Sequence, residues 1–243
     1  MKNIPVVYRR EMASYFATPL AYVFIIIFLT LMGIFTFYLG GLFGRGQSDL
    51  QPFFVWHPWL YLFLAPALGM RLWAEERKTG TIELLMTLPV STLEAVAGKF
   101  LAAWSMMAVS LALTFPMWIT VNVLGDPDNG VIVAGYLASL LMAGSYLAVS
   151  GFVSALTRNQ VIAFVVSAAV CFVFLLSGFP LVLDFFRPWL PASMVKAIAA
   201  MGFLQHFDSI IKGVLNAVDF VYFITFTALW LYAGSWAVEN YRN

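Results

Sequence analysis

The chain has 243 residues, 62% of them hydrophobic, 17% aromatic and only 10% charged, with a mean hydropathy of +0.89. Soluble domains carry roughly 25% charged residues, so a water-soluble enzyme and a disordered chain are both excluded. Thirteen Lys and Arg against twelve Asp and Glu leave a net charge of +1, which excludes the basic field that holds nucleic acid.

Uncharged runs fall at Met12–Gly44, Leu50–Met70, Phe100–Gly125, Asn129–Thr157, Asn159–Leu183 and Phe220–Val238. An apolar helix needs about 20 residues to cross roughly 30 Å of hydrocarbon, so each run supplies one span and none supplies two. Alternating β-barrel segments of about 10 residues do not fit continuous runs such as Tyr22–Leu31. The fold class is an all-α membrane protein, a single transmembrane domain over 1–243 with spans at about 19–39, 58–74, 94–123, 131–156, 160–178 and 219–238.

In chain order, residues 5–18 read as a helix lying in the membrane interface. Tyr8, Met12, Tyr15, Phe16 and Leu20 recur at helical spacing while Arg9, Arg10, Glu11 and Ser14 take other faces, and Pro19 bends the chain into span one. That apolar run is too long for a cleavable signal, and no small-residue cleavage site follows it. A Gly-rich loop, Gly40–His57, leads to Trp56, Trp59 and Tyr61, the expected aromatic belt of span two. Span four carries Gly135, Ser139 and Ala143, then the pairs Gly144/Ala148 and Gly151/Ala155. Small residues at that spacing let helices approach closely, within one subunit or between two. Cys171 lies mid-span as a small packed hydrophobe. Region 180–217 is too apolar for a plain loop; Pro180, Pro188 and Pro191 break it early, and one or two short helices follow from Ala192, dipping into the outer leaflet.

Orientation follows from Lys and Arg. Lys2, Arg9, Arg10, Arg71, Arg77, Lys78, Lys99, Arg158 and Arg242 fall on the side of the N-terminus, and Arg45, Arg187, Lys196 and Lys212 on the other. Nine against four puts both termini in the cytoplasm.

The stretch with the most information runs Glu75-Glu76-Arg77-Lys78-Thr79-Gly80-Thr81-Ile82-Glu83-Leu84-Leu85-Met86-Thr87-Leu88-Pro89, ahead of span three. Thr81 caps a short helix over 81–88 with Glu83 in its favourable first turn, and Pro89 stops it. Ser91-x-x-Glu94 is a capping box that opens the next helix. An apolar surface exposed on so little extramembrane mass calls for a partner.

This run, continued to Gly98-Lys99, resembles the signature of permease subunits of type-2 ABC transporters: Glu76-Arg77, Gly80-Thr81, Glu83-Leu84-Leu85, Pro89 and Gly98-Lys99. Arg10-Glu11, Tyr15-Phe16 and Thr18-Pro19 resemble that family's lead-in helix. His206-Phe207-Asp208, Lys212-Gly213, Asp219 and Tyr222-Phe223 resemble its gliding-motility-associated branch. The resemblance implies a six-helix subunit of the bacterial inner membrane that pairs with a second permease subunit and sits on cytoplasmic ABC ATPase subunits. It implies a coupling helix at 81–88, with Glu75, Glu76, Arg77, Gly80, Thr81, Ile82, Glu83, Leu84, Leu85, Met86 and Pro89 meeting the ATPase and Arg158 in a smaller second contact. Membrane lipid and a periplasmic auxiliary protein complete the expected partners.

No G-x-x-x-x-G-K-[S/T] phosphate loop occurs, so the chain is expected to be non-catalytic and to bind no cofactor, with ATP and Mg on the separate ATPase. His57 and His206 are the only histidines and lie in no metal-binding pattern. Ser145 and Ser150 lack a serine-protease context. The uncharged runs offer no ion path. Two function classes follow from the resemblance: an exporter of an amphipathic or bulky substrate, or an ATP-driven complex doing mechanical or assembly work on periplasmic or surface partners.

Overall fold

The computed structural model describes residues 3–83 and 89–240. Among them all regular structure is helical. Six segments are long and apolar enough to cross a membrane: Leu20–Leu39, Gln51–Thr79, Thr92–Leu124, Asn129–Leu156, Gln160–Ser177 and Ala217–Glu239. The protein is an all-α, multi-pass membrane protein.

Helix α1 covers Ile4–Ala17 and ends at Thr18, whose extended backbone is what a residue preceding proline adopts. Span one is α2, Leu20–Ile34, finished by a π-helical turn at Phe35–Leu39. Span two is built from α3 (Gln51–Phe54), α4 (His57–Gly69) and α5 (Arg71–Thr79). Gly80 ends it with φ +74°, a left-handed conformation that glycine adopts without strain.

Ser91 and Glu94 form the reciprocal capping box at the start of α6, Thr92–Ala112. Span three then breaks before α7, Phe115–Leu124. Pro116 has no N–H to continue the ladder, and beside the break the Thr114 hydroxyl donates to Leu111 O at 2.6 Å. Asp128 and Asn159 cap α8 (Asn129–Leu156) and α9 (Gln160–Ser177).

Three short helices follow: α10 (Pro180–Phe186), α11 (Ala192–Ala200) and α12 (Phe203–Ile211). The first occupies a stretch expected to be broken. Pro180 stands in its first turn, where a missing N–H leaves no bond unmade. Span six is α13, Ala217–Glu239.

Helix α8 is the axis of the bundle and packs against α4, α5, α6, α9, α12 and α13. Its small residues make this possible: Ala138, Ser139, Ala143, Ala148 and Ser150 are all buried, so the small-residue stripe is used within the chain. Tyr61, expected in the aromatic belt, is 1% exposed and hydrogen-bonded to Ser139 at 2.7 Å. It faces the bundle because α8 has a hydroxyl at that level.

One end of the bundle, here the base, gathers α1, the end of α5, the start of α6 and the end of α8. The opposite end, the crown, carries the start of α4 and the short helices.

Candidate functional site

At the base, α1 and α6 meet at Gly98. A Cβ there would lie 2.7 Å from Val7 Cβ, closer than atoms tolerate, and 3.2 Å from Ile4 O. One residue on, the Lys99 side chain is 3% exposed and its ammonium lies 3.0 Å from Glu11 Oε1 and 2.9 Å from Glu76 Oε1. The same ammonium stands 5.3 Å from the Trp73 ring centre. Arg10 Nη2 donates to Glu11 at 2.7 Å and to Glu76 at 3.1 Å. Two cations and two carboxylates thus alternate in one closed cluster drawn from α1, α5 and α6.

A lone ammonium buried this deeply would cost several kcal/mol in lost hydration, and only close counter-charges offset that. Burial acts to raise the carboxyl of Glu11, but the Lys99 charge and the Arg10 hydrogen bond outweigh it and hold the group below the ordinary carboxylate range. Glu76 Oε2 is buried without a hydrogen-bond partner among the described residues, so this carboxylate acts through its other oxygen.

Two further ties lock the 75–94 loop to the bundle. Asn3 Nδ2 donates to Pro89 O at 2.9 Å and to Glu94 Oε2 at 3.2 Å, fastening the start of α1 to the far end of the loop. Arg77 is 6% exposed and donates through Nη1 to Ala155 O, at the C-terminus of α8 where a cation is favoured. Beside it, Ser154 Oγ accepts from Trp73 N at 3.1 Å and Ala74 N at 3.0 Å and donates to Met70 O at 2.8 Å. One hydroxyl therefore replaces the backbone bonds missing where α4 gives way to α5.

The expected site residues divide by direction. Glu76 and Arg77 turn inward, and Glu75 pairs with Arg71 at 2.9 Å on the flank. Lys78, Gly80, Thr81, Glu83 and Pro89 are exposed, and Ile82 is half-buried. Leu84, Leu85 and Met86, with Thr87 and Leu88, lie outside the described residues. Arg158 is exposed in the turn between α8 and α9. Asn3 and Ser154 carry no expectation from the sequence; Glu11 reads there as part of the lead-in resemblance, and Lys99 as an orientation charge and the end of the Gly98-Lys99 signature. The available signal was a single lysine set eight residues into an apolar helix.

Among the described residues this arrangement ties helices together through ion pairs and hydrogen bonds. It is a clamp that joins both ends of the 75–94 stretch to four helices. A six-span bundle with such a loop between spans two and three defines a class of multi-pass membrane subunit. The chain belongs to the ABC-2 family of transporter proteins, whose profile, described as ABC-2 family transporter protein, matches residues 20–235. It is a membrane-spanning permease subunit of an ABC transporter, and the family implies partnership with an ABC ATPase and, typically, dimerisation. No curated protein sequence matches the chain significantly.

Proposed function

We propose that this chain is the membrane half of an ATP-driven exporter of an amphipathic or bulky substrate, with a separate cytoplasmic ABC ATPase docking on the 75–94 loop and a second permease subunit beside it. The base faces the cytoplasm of a bacterial inner membrane, as the nine-to-four excess of Lys and Arg favours. ATP and Mg belong to the ATPase.

The observation that carries this reading is the clamp. Glu76, Lys99 and Glu11 fasten the start of the loop to α6 and α1, Asn3 fastens its end, and Arg77 fastens it to α8. A push on this loop is therefore delivered to several spans at once, which is what an ATPase acting from outside the membrane requires. An amphipathic substrate suits spans whose exposed faces are aliphatic and aromatic.

In sequence, Ile82, Leu85, Met86 and Pro89 recur at i, i+3, i+4 and i+7, one helical stripe. Burying one such side chain against a partner contributes roughly 1.5–3 kcal/mol, and central residues dominate interfaces. Leu85→Asp is expected to abolish copurification of the ATPase while all six spans remain inserted. Undiminished recovery with normal ATP turnover would remove the loop as the docking site.

A further inference from the structure

The crown holds a second buried polar cluster that ATPase docking leaves unused. Helices α11 and α12 turn on Gly202, which meets the end of α9 so closely that a Cβ there would lie 2.4 Å from Gly178 N. On α12, His206 is 8% exposed and Asp219, in the first turn of α13, is 7% exposed. His206 Nδ1 lies 2.6 Å from Asp219 Oδ1, and Nε2 lies 2.9 Å from Ala200 O at the end of α11. Tyr222 lies flat on the imidazole, 4.1 Å between ring centres at 21°, and its hydroxyl donates to Met201 O at 2.5 Å. The other face of α12 closes a cavity of about 410 Å³ against Trp59 and Phe179.

Hydrogen counting makes this cluster conditional. A backbone carbonyl only accepts, so Nε2 must carry a hydrogen. The short Nδ1 to Oδ1 contact needs a second hydrogen between its atoms, on the ring or on the acid. Remove one, leaving neutral imidazole and carboxylate, and neither tautomer works. A hydrogen on Nε2 sets the Nδ1 lone pair against a carboxylate oxygen; a hydrogen on Nδ1 sets the Nε2 lone pair against Ala200 O. Buried lone-pair oppositions of this kind are costly.

We propose that His206 and Asp219 form a proton-held latch: while they share a proton, α11 is tied through Ala200 O to α12 and α13, and release of that proton to solvent loosens α11 and its turn into α12, while the buried Phe203, Phe207 and Ile210 keep α12 seated on the bundle. The other titratable groups facing the pair are Tyr222 from α13 and, behind the Phe203 ring, Tyr146 from α8 with Cys171 from α9. On the short helices Asp208 pairs with Lys212 and Asp184 with Arg187, while Lys196 is exposed. The latch is independent of how the base meets an ATPase.

The test is hydrogen exchange on α11 and its turn into α12, in the full chain in lipid nanodiscs. Protection is corrected for intrinsic exchange and compared at about pH 5.5 and about pH 8.5, on either side of the usual imidazole range. Wild type is expected to lose protection by about tenfold or more at the higher pH, equivalent to one pK unit of linkage. Asp219→Asn should remove that step and stay protected throughout, because the amide N–H donates to Nδ1 while Nε2–H still serves Ala200 O. Should that variant fail to insert, His206→Gln serves: low protection at both pH values, without a step. Wild-type protection independent of pH, or a wild-type step retained in either variant, overturns the latch.

Discussion

The Lys99 ammonium lies 2.9 Å from Glu76 Oε1, and this one contact joins the helix that enters the 75–94 loop to the helix that leaves it. Glu11 adds α1 to the same ammonium at 3.0 Å. The loop's two ends and α1 are thereby held as one body, and the predictions below follow from that body and its supports.

Lys99→Met leaves two half-buried carboxylates with Arg10 alone. Breaking a buried pair from one side costs about 3–5 kcal/mol, so the purified chain should melt well below wild type. Glu76→Gln in the Lys99→Met background should return part of the loss, through a coupling of about 0.5–3 kcal/mol. Strictly additive losses in thermal unfolding would show that the two groups do not interact.

The cluster also sets an acid limit. Burial opposes ionisation of Glu11 but Lys99 and Arg10 prevail, so its folded value lies below the unfolded one. Stability from such a group is present above the unfolded value, about pH 4.3, and is lost as pH falls through the folded value. The α1–α6 contact should therefore hold at neutral pH and loosen below about pH 4. A disulfide-trapping profile between cysteines on α1 and α6 reads this directly. Glu11→Gln should weaken the contact at neutral pH and flatten the profile.

Gly98→Ala drives a methyl to 2.7 Å from Val7 Cβ and should lever α1 away from α6, costing about 1–3 kcal/mol as overpacking does. Val7→Gly in the same chain removes the collision. It should restore stability in part, less about 1 kcal/mol for glycine inside a helix. Absence of any rescue would place the damage elsewhere.

Ser154→Ala strips three hydrogen bonds from the α4–α5 break. An unsatisfied buried group costs about 1–3 kcal/mol. Ser150→Ala, which removes one bond to Tyr146 O within its own helix, should cost less. Equal unfolding midpoints for the two variants would contradict the role given to Ser154.

With the base in the cytoplasm, a cysteine at Asn129 should react with an impermeant maleimide added to intact cells, and one at Glu83 should react only after lysis. The reverse pattern would invert the topology.

Hydropathy, capping and turn chemistry are local, and that is why the sequence by itself determines so much here. Six uncharged runs define six spans, Ser91-x-x-Glu94 appears as the capping box it spells, and Gly80 takes the left-handed conformation that only a residue of its type takes freely. The loop after span two also stands out in sequence, because charges, a glycine turn and a proline stop are all read at neighbouring positions.

What the tertiary structure alone decided is which distant groups meet. Glu11 and Lys99 are 88 residues apart and Asn3 and Glu94 are 91 apart; no periodicity links them, and only the crossing of α1 over Gly98 brings them together. Tyr61 reads as an interfacial aromatic until Ser139 is found opposite it. Ser154 reads as a small helix residue until the α4–α5 break lies against it. His206 and Asp219 stand in one stretch of sequence, yet only packing sets Ala200 O against the other side of the ring. A side chain's helix is set by its neighbours along the chain, but its charge state and its load are set by what the packed bundle places within 3 Å of it.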